Sequence, residues 1–417
     1  MTLSKYTFNY FLFLFSLIPI TFLIGSAVLL YNIILLDLSF LILIIYKKDY
    51  FFLKSKPIKY LLILYAYLIF NSFISIDYLF SYSRNIGFIR FIILFAAFNY
   101  FFLNKSFYKK VISIWLIVIL IVSIDVLFEQ FTGANIFGFS YGDRFNDDNQ
   151  ILFGRVVSFF KDEPIVGGYL LGFYLILAGF LFDDLKNKKQ LFSFAFLILI
   201  LFTVIFTGER SNSLRAFLGF GAFILFFSKF NFKIKIISLL AVITLIFFLV
   251  TNNKYLKIRF VSQIKSMGSI HKVYFKSYNS AFQVFDNHKI FGVGNKNYRV
   301  ETCRKSNYLN KDNKEKYKCQ NHPHQIYLEL LSEHGIFGSF LIMFILFKLI
   351  FSKIIETFKK DNFLKSGSLI YLLLMFTPLL PTGAFFGNFL LTIFMINLSI
   401  FYASDKDYNI FMKKNYG

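Results

Sequence analysis

Three of the five histidines in this 417-residue chain fall in one stretch, His322-Pro323-His324-Gln325-Ile326-Tyr327-Leu328-Glu329-Leu330-Leu331-Ser332-Glu333-His334-Gly335-Ile336-Phe337-Gly338. It lies where a long polar segment gives way to an apolar run. An imidazole titrates near neutral pH and can take a proton from a hydroxyl, so His324 is a candidate general base. Pro323 disfavours a helical residue at His322 and suits a first helical turn, so a helix is expected from near His324. Gln325, Glu329 and Ser332 or Glu333 would then share one face, opposite Ile326, Tyr327, Leu330 and Leu331. The plainer alternative is that these groups cap and solvate the start of a transmembrane helix. His322 and His324, with Glu301 or Glu329, do not match a common zinc spacing, and no metal is expected.

Cations suited to an anionic substrate lie elsewhere in the chain. Thr207-Gly208-Glu209-Arg210-Ser211, with Arg215 about a turn into the next apolar run, places arginines at a membrane edge, where the guanidinium fork can hold a phosphate or diphosphate. Arg210 paired with Glu209 at the interface, and Arg215 paired inside a bundle, are the structural alternatives. Gly154-Arg155 and Lys161-Asp162-Glu163-Pro164 offer another cation and two carboxylates, although Asp162 or Glu163 would serve equally as a helix cap. Phe291-Gly292-Val293-Gly294-Asn295-Lys296-Asn297-Tyr298-Arg299 lets backbone amides approach an anion with Lys296 and Arg299 nearby, or is simply a tight turn. The two cysteines, Cys303 and Cys319, fall in the same polar segment. A disulfide closing their loop of about 16 residues would contribute roughly 3 kcal/mol by chain entropy.

The elements that must hold these groups are apolar helices. Hydrophobic residues make up 57% of the chain, 62 residues are Phe, and only 16% are charged. Apolar runs long enough to cross a bilayer recur along the sequence, without barrel-like alternation. The expected fold is an all-α polytopic membrane protein with about twelve transmembrane helices. They are expected near 8–24, 26–46, 60–76, 85–103, 111–128, 165–182, up to 206, 213–228, up to 250, 335–350, 367–382 and 386–403. The formal net charge of +22 reads as an orientation signal rather than a nucleic-acid footprint, because much of it sits as lysine in short loops. Placing those loops and both termini in the cytoplasm gives one alternation, with an outward loop at about 129–163 and a large one, with short helices, at about 251–334 between helices 9 and 10. The first nine helices then occupy 1–250, and helices 10–12 with a cytoplasmic tail occupy 335–417. The N-terminal run is read as a retained helix, not a cleaved signal, since the apolar pattern resumes at Val28. No Walker loop, dinucleotide fingerprint or paired CxxC is present, so no nucleotide cofactor is expected.

The ordered set of helices, Gly208-Glu209-Arg210-Ser211, the Gly-Val-Gly turn and His-Pro-His-Gln-x-Tyr-Leu-Glu-x-x-x-Glu-x-Gly-x-x-Gly resembles the O-antigen ligase and O-antigen polymerase superfamily of bacterial envelope glycosyltransferases. The resemblance is most specific over about 200–350. It implies a GT-C-like enzyme of the bacterial inner membrane that needs no metal or other cofactor, with its site facing the periplasm. A glycan on undecaprenyl diphosphate would be the donor, and a sugar hydroxyl of lipid A-core, or of a growing polysaccharide, would attack the anomeric carbon with inversion. Carried over by position, Arg210 would hold diphosphate and His324 would act as base or orient the acceptor, with Arg215, Arg299 and Glu333 in supporting roles. Arg155 or Lys272 would be a further diphosphate cation, and His322, Gln325, Glu209 and Glu163 would position the acceptor. The chain departs from the family at Gln325, where Asn is usual, and at His271-Lys272, where many ligases carry an arginine. Ligation is favoured over polymerisation. A lipid-linked oligosaccharide flippase is the reading from another class, and it predicts ionisable residues deep in the helices, for which Asp37 and Asp125 are the main candidates. A scaffold without chemistry would leave the grouping of Arg210 and the histidine motif unexplained.

Overall fold

A computed structural model describes residues 4–140, 154–184, 190–227, 231–265, 270–304, 319–358 and 362–412. Among these residues the regular structure is helical, without a β-strand. The longer helices are α1 (Lys5–Ile24), α2 (Ser26–Lys47), α3 (Lys56–Phe73), α4 (Tyr78–Ile86), α5 (Ile89–Phe101), α6 (Lys105–Thr132), α7 (Val166–Asp184), α8 (Gln190–Phe206), α9 (Arg210–Ala222) and α10 (Phe232–Asn252). Short turns over 254–265 lead to α11 (Ile270–Asn287) and α12 (Tyr298–Cys303). After the second cysteine come α13 (Ile326–Leu349), α14 (Phe363–Leu374) and α15 (Asn388–Ala403).

Among the described residues, seven spans are long and apolar enough to cross a membrane: α1, α2, α4 with α5, α6, α7, α10 and Ile326–Thr357. The apolar parts of α8, α14 and α15 are shorter. The two remaining expected segments are helical as α3 and α9 but meet neither description. The expected single helix over 85–103 is broken near Gly87 into α4 and α5, and that over 335–350 begins nine residues earlier. Large apolar side chains stay exposed along α1, α2, α6, α10 and α13, including Phe13, Ile42, Ile124, Phe247 and Phe340. In water such faces would aggregate, whereas in a bilayer they meet lipid. The chain is a multi-pass, all-helical membrane protein.

The core shows how the bundle tolerates broken helices. Pro19 lies inside α1 and has no N–H to give the Phe15 carbonyl. The buried Trp115 of α6 supplies the missing donor, its Nε1 standing 2.9 Å from the Phe15 oxygen. Phe15 itself packs among Phe98, Phe101 and Phe107. α7 and α14 approach at backbone contact, because a Cβ at Gly179 or Gly367 would overlap a carbonyl of the other helix.

Candidate functional site

The helix carrying the second half of the histidine motif is not continuous. Gly335 has φ 62° and ψ −167°, a conformation essentially reserved for glycine, so α13 is two helices joined at a break. An unbroken helix would pair the carbonyls of Ser332 and Glu333 with the amides of Ile336 and Phe337. Here the Gly-Val-Gly segment takes both sides of that exchange. Val293 N and Gly294 N donate to the Ser332 and Glu333 carbonyls (3.0 and 2.9 Å), while Ile336 N and Phe337 N donate to the Lys289 and Ile290 carbonyls (2.8 and 3.1 Å). All four groups orphaned by the break are thereby satisfied, as a low-dielectric setting demands. The approach requires glycine on both partners. A Cβ at Gly335 would overlap the Ile290 carbonyl, and one at Gly292 would overlap Glu333 and His334 backbone. The far side of the turn is tied to the end of α3: Ile76 N donates to the Val293 carbonyl (3.0 Å), Asn295 N to Asn71 Oδ1 (2.7 Å) and Asp77 N to Asn297 Oδ1 (2.8 Å).

This anchorage sets Lys296 against two carboxylates of α13. Lys296 Nζ is 3.8 Å from Glu329 Oε1, and Lys296 N donates to Glu333 Oε2 at 2.9 Å. Glu329 also accepts from Phe385 N, 2.9 Å from each oxygen, which fixes the 375–387 segment between α14 and α15. Both glutamates are fully buried, and Glu333 Oε1 has no hydrogen-bond partner.

The histidines lie just before α13. The helix begins at Ile326 rather than near His324, because Gln325 is the N-cap and its Oε1 accepts from Leu328 N at 2.8 Å. Gln325 therefore serves the helix end rather than an acceptor. His324 adopts the left-handed φ of 60°, uncommon for a residue with a side chain. Its carbonyl accepts from Thr382 N at 2.9 Å, and its ring centroid is 4.1 Å from that of His322. Burial, then repulsion from Lys296 and from His324 when that is protonated, push the His322 imidazole down to about 3, against the opposing pull of a bond to the Thr382 backbone. His322 is a neutral imidazole at physiological pH, with its buried Nε2 unpartnered.

The arginine turn is built differently. Arg210 opens α9 and donates from Nε to the Arg259 carbonyl at 2.8 Å and from its terminal nitrogen to Gln263 Oε1. Arg259 donates to the same Gln263 oxygen at 2.9 Å and to the Gly208 carbonyl at 2.8 Å. Two guanidinium groups thus meet at one neutral amide oxygen. Arg155 stands close enough to act on the Glu209 carboxylate, and Val156 N donates to the Thr207 carbonyl at 3.2 Å. Asp125 and Glu129 of α6 hold that segment through Ser158 and Val157. Of the two ionisable residues that bear on the flippase reading, Asp125 is thus a loop anchor, while Asp37 is buried without a hydrogen-bond partner.

Several sequence-based roles change on this geometry. Glu209 is buried and accepts from Gly167 N (2.7 Å) at the start of α7 and from Asn212 Nδ2 (2.6 Å); burial raises its carboxyl above the usual range. It is a cap for α7, the role expected of Asp162 or Glu163, both of which are exposed. Arg215 is buried and spends its fork on carbonyls: Leu374 at 3.2 Å, Pro381 at 3.0 Å and Leu380 at 3.3 Å. It supports the 375–387 segment that carries Thr382 and Phe385, and so underpins His324 rather than a ligand. Arg299 is exposed, its guanidinium over the Phe80 ring at 5.6 Å. Cys303 and Cys319 form a disulfide. Residues 305–318 between them, and the side chains of His271 and Lys272, lie outside the described residues.

The arginine turn and the histidine segment lie at the same end of the helices. Arg215, five residues or about 7.5 Å along α9 from Arg210, binds the Pro381 carbonyl, and the next residue, Thr382, binds His324. Sequence reading missed Arg259, and it weighed Lys296 only as a charge near the glycine turn. A signal existed for the first: only nine of the 45 basic residues are arginine, and none falls in the lysine-rich short loops.

This is a multi-pass helical membrane protein with a cation-lined polar centre at one end of its bundle. Residues 195–343 match the Wzy_C family model, O-antigen ligase, as the resemblance to the O-antigen ligase and polymerase superfamily anticipates. That segment holds Arg210, Arg259, Lys296, both motif histidines and both motif glutamates. No curated protein matches the chain.

Proposed function

We propose that the protein transfers a glycan from undecaprenyl diphosphate to a sugar hydroxyl of a membrane-anchored acceptor at the periplasmic face of the inner membrane, as an O-antigen ligase. The carrying observation is the match to the O-antigen ligase family over the segment that joins the arginine turn to the histidine centre. The donor is already activated, so the protein must orient two substrates, neutralise a leaving diphosphate and receive one proton. Arg210 and Arg259 suit the diphosphate, because their shared partner is a neutral amide that an anion can replace. His324 takes the proton from the attacking hydroxyl as the new glycosidic bond forms and the bond from the anomeric carbon to diphosphate oxygen breaks. The neutral, unpartnered His322 Nε2 suits hydrogen bonding to the acceptor hydroxyl. Glu329 and Glu333 hold Lys296 and the histidine segment in register.

The test is analysis of lipid-linked glycans in a deletion strain. Long lipid-linked chains are expected to accumulate. Single lipid-linked repeats would instead mark a polymerase, and material trapped on the cytoplasmic side a flippase. Arg210→Ala and His324→Ala should each abolish surface polysaccharide while the protein still inserts and accumulates. Normal display by both variants would reject the assignment.

A further inference from the structure

A second cationic pocket lies apart from the arginine turn, at the break between α4 and α5. Arg84 Nη1 and Arg90 Nη2 each donate to Asn388 Oδ1 at 3.0 Å, so these two guanidinium nitrogens lie within about 6 Å of each other, close enough to repel. With Asn85, Asn295 and Phe386 they line an open pocket of about 270 Å³, solvent-filled mouth included, and among the described residues no acidic side chain lines it. Arg90 Nε is buried without a hydrogen-bond partner. Asp37 is close enough to act on Arg90 but makes no ion pair or hydrogen bond with it. A Cβ at Gly87 would stand 2.7 Å from Arg90 Nη1, so that the guanidinium would have to shift.

Two like charges held on one neutral acceptor, with a donor left over, form a site that an anion completes. Its enclosed part is only about 10 Å³, room for about one water, so a phosphoryl group would sit at the open mouth against the exposed Arg84, where no sugar chain need be enclosed. Leu79 and Ile86, on the same helix as Arg84, are 75% and 43% exposed, an apolar face that would meet the bilayer. On its inner side the pocket reaches Asn295, next to Lys296 of the histidine centre. We propose that Arg84, Arg90 and Asn388 form a second anion subsite, which holds a phosphoryl group of the membrane-anchored acceptor. The identity of that ligand as the acceptor rests on the transfer reading above; the phosphoryl recognition does not.

The test measures binding to the full-length protein in neutral-lipid nanodiscs, without reference to transfer. The probes are diphosphoryl lipid A, its phosphatase-treated form, undecaprenyl diphosphate and inorganic diphosphate. Lipid A is expected to bind at least tenfold more tightly with its phosphates than without, and Arg84→Gln with Arg90→Gln should remove that preference while changing undecaprenyl diphosphate binding by less than twofold. If the double variant instead weakens only undecaprenyl diphosphate, the acceptor assignment is overturned and the pocket belongs to a polyprenyl-linked ligand. Equally tight binding of inorganic diphosphate would overturn the lipid-borne assignment. Should the double variant fail to fold, Gly87→Ala crowds Arg90 while keeping both charges, and a loss of about threefold or more is expected. Unchanged phosphate preference in a folded variant of either kind overturns the subsite altogether. A protein that binds phosphorylated lipid A in this way but transfers no glycan would refute the transfer reading and leave the subsite standing.

Discussion

The broken helix of α13 and the arginine turn at the start of α9 both interrupt a helical bundle with a polar centre, yet they are held in opposite ways. At Gly335 the interruption is closed by main chain on main chain, with four backbone bonds satisfying the four groups of the two helical bonds that the break removes. At Gly208 to Arg210 the cations are held by side-chain donors on carbonyls and on one glutamine. The first arrangement leaves no backbone group for a ligand to take up and behaves as a scaffold. The second includes a neutral acceptor, Gln263, that a more strongly accepting anion can displace.

If that contrast holds, the largest effects on stability belong to the scaffold. Gly335→Ala forces a Cβ into the Ile290 carbonyl at a glycine-only conformation and should cost about 4 kcal/mol or more, seen as loss of accumulated, folded protein. Glu329→Ala should cost about 3–5 kcal/mol in thermal unfolding, because it strips Lys296 and the Phe385 amide of their shared partner, with Glu329→Gln intermediate. Arg215→Met should cost about 2–4 kcal/mol through the three carbonyls it leaves. Arg210→Gln, by contrast, should cost about 1 kcal/mol or less, and an equal loss at Arg210 and Arg215 would erase the distinction between ligand-facing and structural arginine.

A different kind of effect is expected in pH dependence. His322 has its proton affinity lowered in the folded protein, to about 3, so between about 6.5 and 3 the unfolded chain binds more protons at this position. Folded-state stability should therefore fall as pH drops through that window, by at most about 1.4 kcal/mol per pH unit, and this contribution should level off below 3. His322→Gln should flatten that part of the profile; an unchanged slope would place the titration elsewhere.

What the sequence disclosed follows the same division. The Gly-Val-Gly turn and the Glu-x-Gly helix were visible as motifs because glycine at fixed offsets answers a local demand of the backbone. Their mutual docking was not, because the reason each needs glycine is the other, about 40 residues away. Arg210 was visible at its turn, while Arg259 was hidden in a basic polar stretch and is recruited only by tertiary contact through Gln263. Arg215 and Glu209 were visible but misread: spacing reveals a charge at a membrane edge, not whether carbonyls or helix amides already use it. Arg84 and Arg90 passed unnoticed inside an apolar span whose break at Gly87 brings them together.

The central claim is a division of labour, with arginine for the donor diphosphate and histidine for the proton. It is tested most directly by measuring donor binding and transfer side by side in purified, nanodisc-embedded variants. Arg210→Gln and Arg259→Gln should each weaken undecaprenyl-diphosphate-glycan binding about tenfold or more. His324→Ala should leave that binding within about twofold and still reduce transfer at least about a hundredfold. Donor binding lost equally in the histidine variant, or transfer retained without His324, would contradict the account.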